Sequence, residues 1–95
     1  MRIAVVALLL AAAQVLYVQT ATSDINLARL AEAVNAITED RLPRAEELLN
    51  SVLAALPIDA DALNLLGVVR AKQDRPTEAE RLFRRALARS TAATV

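Results

Sequence analysis

Ninety-five residues with one Gly, no Cys and no His allow one small domain at most. They exclude a disulfide framework, a thiolate zinc site and a lipid-bearing cysteine, and remove the commonest general base and metal ligand. Eleven Lys and Arg balance eleven Asp and Glu, and aromatic residues make up 2% of the chain. Neither long-range attraction to nucleic acid nor a stacking platform for bases exists, so no nucleic-acid partner is expected.

Residues 3–23 carry no charge, and Ile3–Leu10 is an unbroken apolar run. Arg2 and the amino terminus supply a positive flank, and Asp24 is the first acid. One reading is a secretory signal peptide over residues 1–23, with a small-residue exit at Ala21–Ser23 and cleavage before Asp24. The other is an uncleaved membrane-anchor helix: twenty-one helical residues reach roughly 31 Å, about one hydrocarbon core. Tyr17 then lies toward the far interface, where aromatic side chains are favoured. Gln14 and the polar run from Gln19 weaken the anchor, and the fair quality of the exit weakens the signal peptide. The anchor leads, and both stay open. Either way Arg2 stays cytoplasmic and the rest is translocated. The plainer alternative, a buried helix of a soluble protein, needs more protein around it than this chain supplies.

The remaining residues, about seventy, sit where a lone hydrophobic core is marginal. Ser23 and Asp24 suit the start of a helix, as cap and as first-turn acid. Leu27, Leu30, Val34 and Ile37 then recur at intervals of three and four, an amphipathic stripe ending near Thr38. A second helix follows, with Pro43 in its first turn and Glu46 and Glu47 near its positive end. Ala45, Leu48, Leu49, Val52, Leu53 and Leu56 form its apolar side, and Pro57 ends it.

Pro57–Ala60 is a junction in which Asp59 caps a third helix carrying Leu63, Leu66, Val69 and Arg70. Gly67 inside that helix costs about 1 kcal/mol relative to Ala, which close packing of a neighbouring helix offsets. Asp74 is expected to cap the last helix, whose first turn holds Pro76 and Glu78. Ala79, Leu82, Phe83, Ala86 and Leu87 form its apolar side, and residues 91–95 read as a flexible, frayed tail.

Shifting the chain by 34 residues places Asp40-Arg41 on Asp74-Arg75, Ala45-Glu46 on Ala79-Glu80 and Ala33 on Gly67. It also places Leu48 on Leu82, Leu49 on Phe83 and Val52 on Ala86. This helix–turn–helix repeat resembles the tetratricopeptide (TPR) pattern of a large residue, Leu-Gly, a large residue, then Ala, Phe and Ala. The likeness covers about Asp24–Ser90, strongly in Asp59–Ala88 and loosely in the first helix. Arg29 and Glu32 stand where the second repeat has Leu63 and Leu66. Either the register slips there, or the first helix turns an apolar face toward something outside the pair.

The expected architecture is all-α: a hydrophobic N-terminal helix, then two TPR-like hairpins at 24–57 and 58–90. Such stacks normally need about three repeats and a polar capping helix, so two repeats alone imply association with another protein or a second copy. In the register of the family, Leu27, Leu30, Val34, Ile37, Asn64, Val68 and Lys72 fall on the groove side, suited to a helix or an extended peptide. Reading them as ordinary helix surface is the competing account.

Other clusters read more plainly. Arg81, Arg84, Arg85 and Arg89 form a basic face open to anions, acidic partners or lipid head groups, yet cations also suit the negative end of a helix. Asp59 and Asp61 are better explained by a helix start than by a cation. Glu46/Glu47 and Glu78/Glu80 do not converge on one point, as paired catalytic carboxylates must. No catalytic, cofactor or metal residues emerge. The expected function is a non-catalytic binding module, exported to the periplasm or held at a bacterial-type inner membrane with its repeats on the periplasmic side. Small exported proteins with a TPR pair resemble accessory factors of envelope assembly or secretion, which is analogy alone. The alternative is a structural accessory subunit of a membrane complex, held by its N-terminal transmembrane helix.

Overall fold

A computed structural model describes residues 23–94 of the backbone, with side chains through residue 91. Four helices account for nearly all of it: α1 (23–38), α2 (Leu42–Ala55), α3 (Ala60–Lys72) and α4 (Pro76–Thr94). The fold is all-α, and no strand occurs among the described residues. Both leader readings fall on residues 1–22 and lie outside this part of the chain. Among the described residues no helix is long and apolar enough to cross a membrane.

The turns within the two helix pairs are copies of each other. Asp40 and Asp74 both adopt a left-handed backbone, at φ 60° and 59°. The Asp40 N–H donates to the Ile37 carbonyl, and the Arg41 N–H reaches back to Ala36. Asp74 and Arg75 make the same two bonds to Ala71 and Arg70. This is a Schellman ending, which closes the free carbonyls at the end of a helix. The next helices also begin alike, with Ala45 N–H on the Arg41 carbonyl and Ala79 N–H on that of Arg75. The spacing is 34 residues at every step of these turns, while the buried positions of α1 differ from those of α3 further up the helix.

Asp74 therefore does not cap α4. It terminates α3, and its left-handed conformation leaves Arg75 as the last residue before the new helix. Asp59 does cap: its carboxylate accepts from the Ala62 N–H at 2.8 Å. Ser23 is itself helical. No acid lies in the first turn of α2, because Glu46 and Glu47 fall a turn further in. At the other end α4 runs to Thr94, so most of the tail expected over residues 91–95 is helical. Ala86–Thr94 has neither Gly nor Pro to stop a helix, and the Thr91 hydroxyl donates to the Leu87 carbonyl at 2.9 Å.

One core cluster joins the first three helices. Ala33, Ala36 and Ile37 of α1 meet Ala45, Leu48, Leu49 and Val52 of α2, and Ala62, Leu66 and Val69 of α3. Each fully buried Leu or Val in it contributes about 1.5–3 kcal/mol of transfer free energy. α4 closes on α3 through Ala79 and Ala86, both buried. Gly67 makes that approach possible. A Cβ added there would sit 2.5 Å from Cε1 and 2.7 Å from Cδ1 of the Phe83 ring, inside contact distance. In the first pair the matching positions are Ala33 and Leu49, both fully buried in one cluster, so a slightly larger small residue accompanies a smaller large one.

Candidate functional site

α1 and α3 are the first helices of their pairs, and a shallow depression of about 340 Å³ lies between them. Leu27, Leu30, Ala31 and Val34 of α1 line it, opposite Asp61, Asn64 and Leu65 of α3. Its apolar floor is open: Leu27 is 61% exposed and Val34 45%. Four of the seven residues suggested by sequence, Leu27, Leu30, Val34 and Asn64, thus share one wall-and-floor arrangement. The other three lie elsewhere. Ile37 is buried in the core, Val68 packs half-buried against it, and Lys72 is exposed near the end of α3.

Ala31 and Leu65 were missed, although the sequence carried a signal for them. Leu27 and Asp61, Leu30 and Asn64, and Ala31 and Leu65 are each 34 residues apart. The depression is built from the same repeat positions on successive helices.

Between the pairs lies a polar knot that no sequence spacing announced. The Arg70 guanidinium, only 13% exposed, donates to Glu46 at 2.9 Å, and its Nε lies 3.2 Å from a carboxylate oxygen of Glu78. Gln73 accepts from Arg70 at 2.8 Å and offers its amide to the second oxygen of Glu46. Three helices, α2, α3 and α4, are tied here. Arg70 holds the Glu46 carboxyl below the ordinary carboxylate range, chiefly by its hydrogen bond. Glu46 in turn raises the guanidinium, so both partners stay charged. A depressed carboxyl is the reverse of what a general acid needs. The knot ties the second helix of the first pair to both helices of the second.

Two further depressions, of about 400 and 320 Å³, flank the α2–α3 junction near the end of α4. Leu56, Pro57 and Ile58 line them beside Arg85 and Arg89. Arg84 does not join that row, since it pairs with Glu80 at 2.6 Å along its own helix. Among the described residues no cluster of three or more His, Cys, Asp or Glu could hold a metal.

Asn26 is the odd residue of α1. It is buried, its Oδ1 accepts from Arg29 at 3.2 Å, and among the described residues its Nδ2 has no partner. Compared with protein-family models, curated proteins and solved structures, the chain matches none. The likeness to TPR repeats therefore rests on the 34-residue spacing and the residues quoted for it.

Proposed function

We propose that this chain is a non-catalytic protein-binding module built from two TPR-like helix pairs, exported or membrane-held through its apolar N-terminal stretch. The partner lies in the depression between α1 and α3, which offers an apolar floor and the side-chain amide of Asn64. The observation that carries this reading is the exposure of Leu27 and Val34 on a helix that already buries Ala33, Ala36 and Ile37. A marginal domain gains nothing by turning two large aliphatic side chains to water, whereas a binding surface needs them.

The test is co-purification of the full chain from its native membrane, followed by the double variant Leu27→Asp/Val34→Asp. Both residues are exposed, so far-UV circular dichroism should stay unchanged. The bound protein should fall by tenfold or more, as expected when about 1.4 kcal/mol or more is lost. Equal recovery of the partner with the variant would sink the reading. The intact mass of the same preparation reports whether residues 1–23 are retained.

A further inference from the structure

A row on α4 that meets α3 only where one side of the Phe83 ring lies on Gly67 matches, position for position, a row on α2 at the three-helix core. On α2, Leu49 is fully buried, Leu53 is half-buried, and Glu46 holds Arg70 of the incoming helix. Thirty-four residues on stand Phe83, Leu87 and Glu80. Phe83 is 37% exposed and Leu87 68%. Glu80 is exposed as well; its Oε1 accepts from Arg84, and among the described residues its Oε2 has no partner. Among the described residues, the outer side of this row is an uncovered copy of an interface that exists once already in the same chain.

We propose that this row docks an amphipathic helix of another protein, one whose apolar side ends in an arginine that pairs with Glu80. The inference rests on the reading of the chain as a protein-binding module, and adds a second surface to it. What α3 brings to α2 defines the chemistry. Small and aliphatic residues pack on the Leu49 row, and Arg70 near the helix C-terminus meets the carboxylate at its edge. A second copy of this chain cannot supply the same set from its own first helix. The residue of α1 that corresponds to Arg70 is Ala36, which carries no charge and is buried. Two α4 faces set against each other would also bring Arg81, Arg84 and Arg85 close to their equivalents, with like-charge repulsion.

The probe is a labelled synthetic peptide with the sequence of residues 58–75, which spans α3 and its ends. It is titrated into the full chain in mild detergent and followed by fluorescence anisotropy. The peptide should bind, and Leu87→Glu and Glu80→Arg in the chain should each weaken it by roughly tenfold, near 1.4 kcal/mol. A peptide carrying Arg70→Glu should regain affinity for the Glu80→Arg chain, a charge exchange that mere loss of folding cannot mimic. Absence of binding, or binding indifferent to both variants, overturns the proposal. Binding lost in Glu46→Arg but kept in Glu80→Arg means that the peptide replaces α3 in its own seat, which also overturns it. A concentration-dependent dimer in sedimentation that Leu87→Glu abolishes assigns the face to a second copy instead. None of these outcomes touches the α1–α3 depression, which the Leu27→Asp/Val34→Asp variant addresses separately.

Discussion

In α2 the row Glu46, Leu49, Leu53 sits at the three-helix core and meets α3 through the Glu46–Arg70 pair. In α4, among the described residues, the matching row Glu80, Phe83, Leu87 is exposed apart from the side of Phe83 that lies on Gly67. The two helices differ little in pattern and greatly in circumstance. α2 sits between two neighbours and buries most of its apolar side in the core, with Ala45, Leu48, Leu49 and Val52 buried and Leu53 half-buried. Among the described residues α4 has one helix neighbour, α3, and its buried apolar side chains are Ala79 and Ala86. The difference teaches that burial in a stack of repeats belongs to the position in the stack, since a helix cannot cover its own outer side.

The largest effect should come from removing the same methyl groups at the two matched rows. Leu49→Ala removes a fully buried side chain from the centre of the core and should cost about 2–5 kcal/mol. For a domain of this size that loss approaches the total stability. Leu87→Ala, at a side chain mostly in water, should stay within about 0.5 kcal/mol. Thermal unfolding followed at 222 nm measures both. Equal losses would mean that α4 is covered in the free chain, and the comparison would collapse.

A second experiment exchanges the packing solution of one pair for that of the other. Gly67→Ala forces its Cβ into the Phe83 ring, at 2.5 Å from the nearest carbon before relaxation. The gain in helix propensity, about 1 kcal/mol, opposes an overpacking cost of about 1–3 kcal/mol. The net expectation is a loss near 1 kcal/mol. Adding Phe83→Leu recreates the Ala33/Leu49 pairing of the first pair and should recover most of it, with a coupling of about 1 kcal/mol in a double-mutant cycle. If Gly67→Ala alone raises the melting temperature, the half-exposed ring simply swings aside and the glycine is not held by packing.

Much of this was legible beforehand, for specific reasons. The helices and their inner faces follow from the spacing of Ala, Leu and Val, and the 34-residue shift by itself aligns the two turns. What lay beyond reach was of two kinds. Contacts such as Arg70 with Glu46 join residues 24 apart on different helices, and no periodicity within one helix reports them. Ambiguous residues were the other. Aspartate both caps the start of a helix and tolerates a left-handed backbone at its end, so Asp59 and Asp74 look alike in sequence and act differently in the fold. The depression between α1 and α3 was half legible, because repeat positions identify Leu27, Leu30, Val34 and Asn64. Ile37 left that set because the inward turn of α1 takes it into the core beside Ala33 and Ala36.

The turns themselves give the smallest and most symmetric test. A left-handed residue with a side chain carries a steric cost of about 1–2 kcal/mol, eased for Asp, and a negative charge at a helix C-terminus opposes the dipole. Glycine removes both penalties, at the expense of greater freedom in the unfolded chain. Asp40→Gly and Asp74→Gly should therefore each stabilise the fold by roughly 0.5–1 kcal/mol, read as a rise in melting temperature. Because the φ angles differ by one degree and the flanking hydrogen bonds coincide, the two gains should be equal within error. Unequal gains would show that the turns differ in the rest of their surroundings. The first turn joins a pair that shares its core with α3, while the second joins α3 to a helix open on its far side, so any inequality would measure how far that openness reaches.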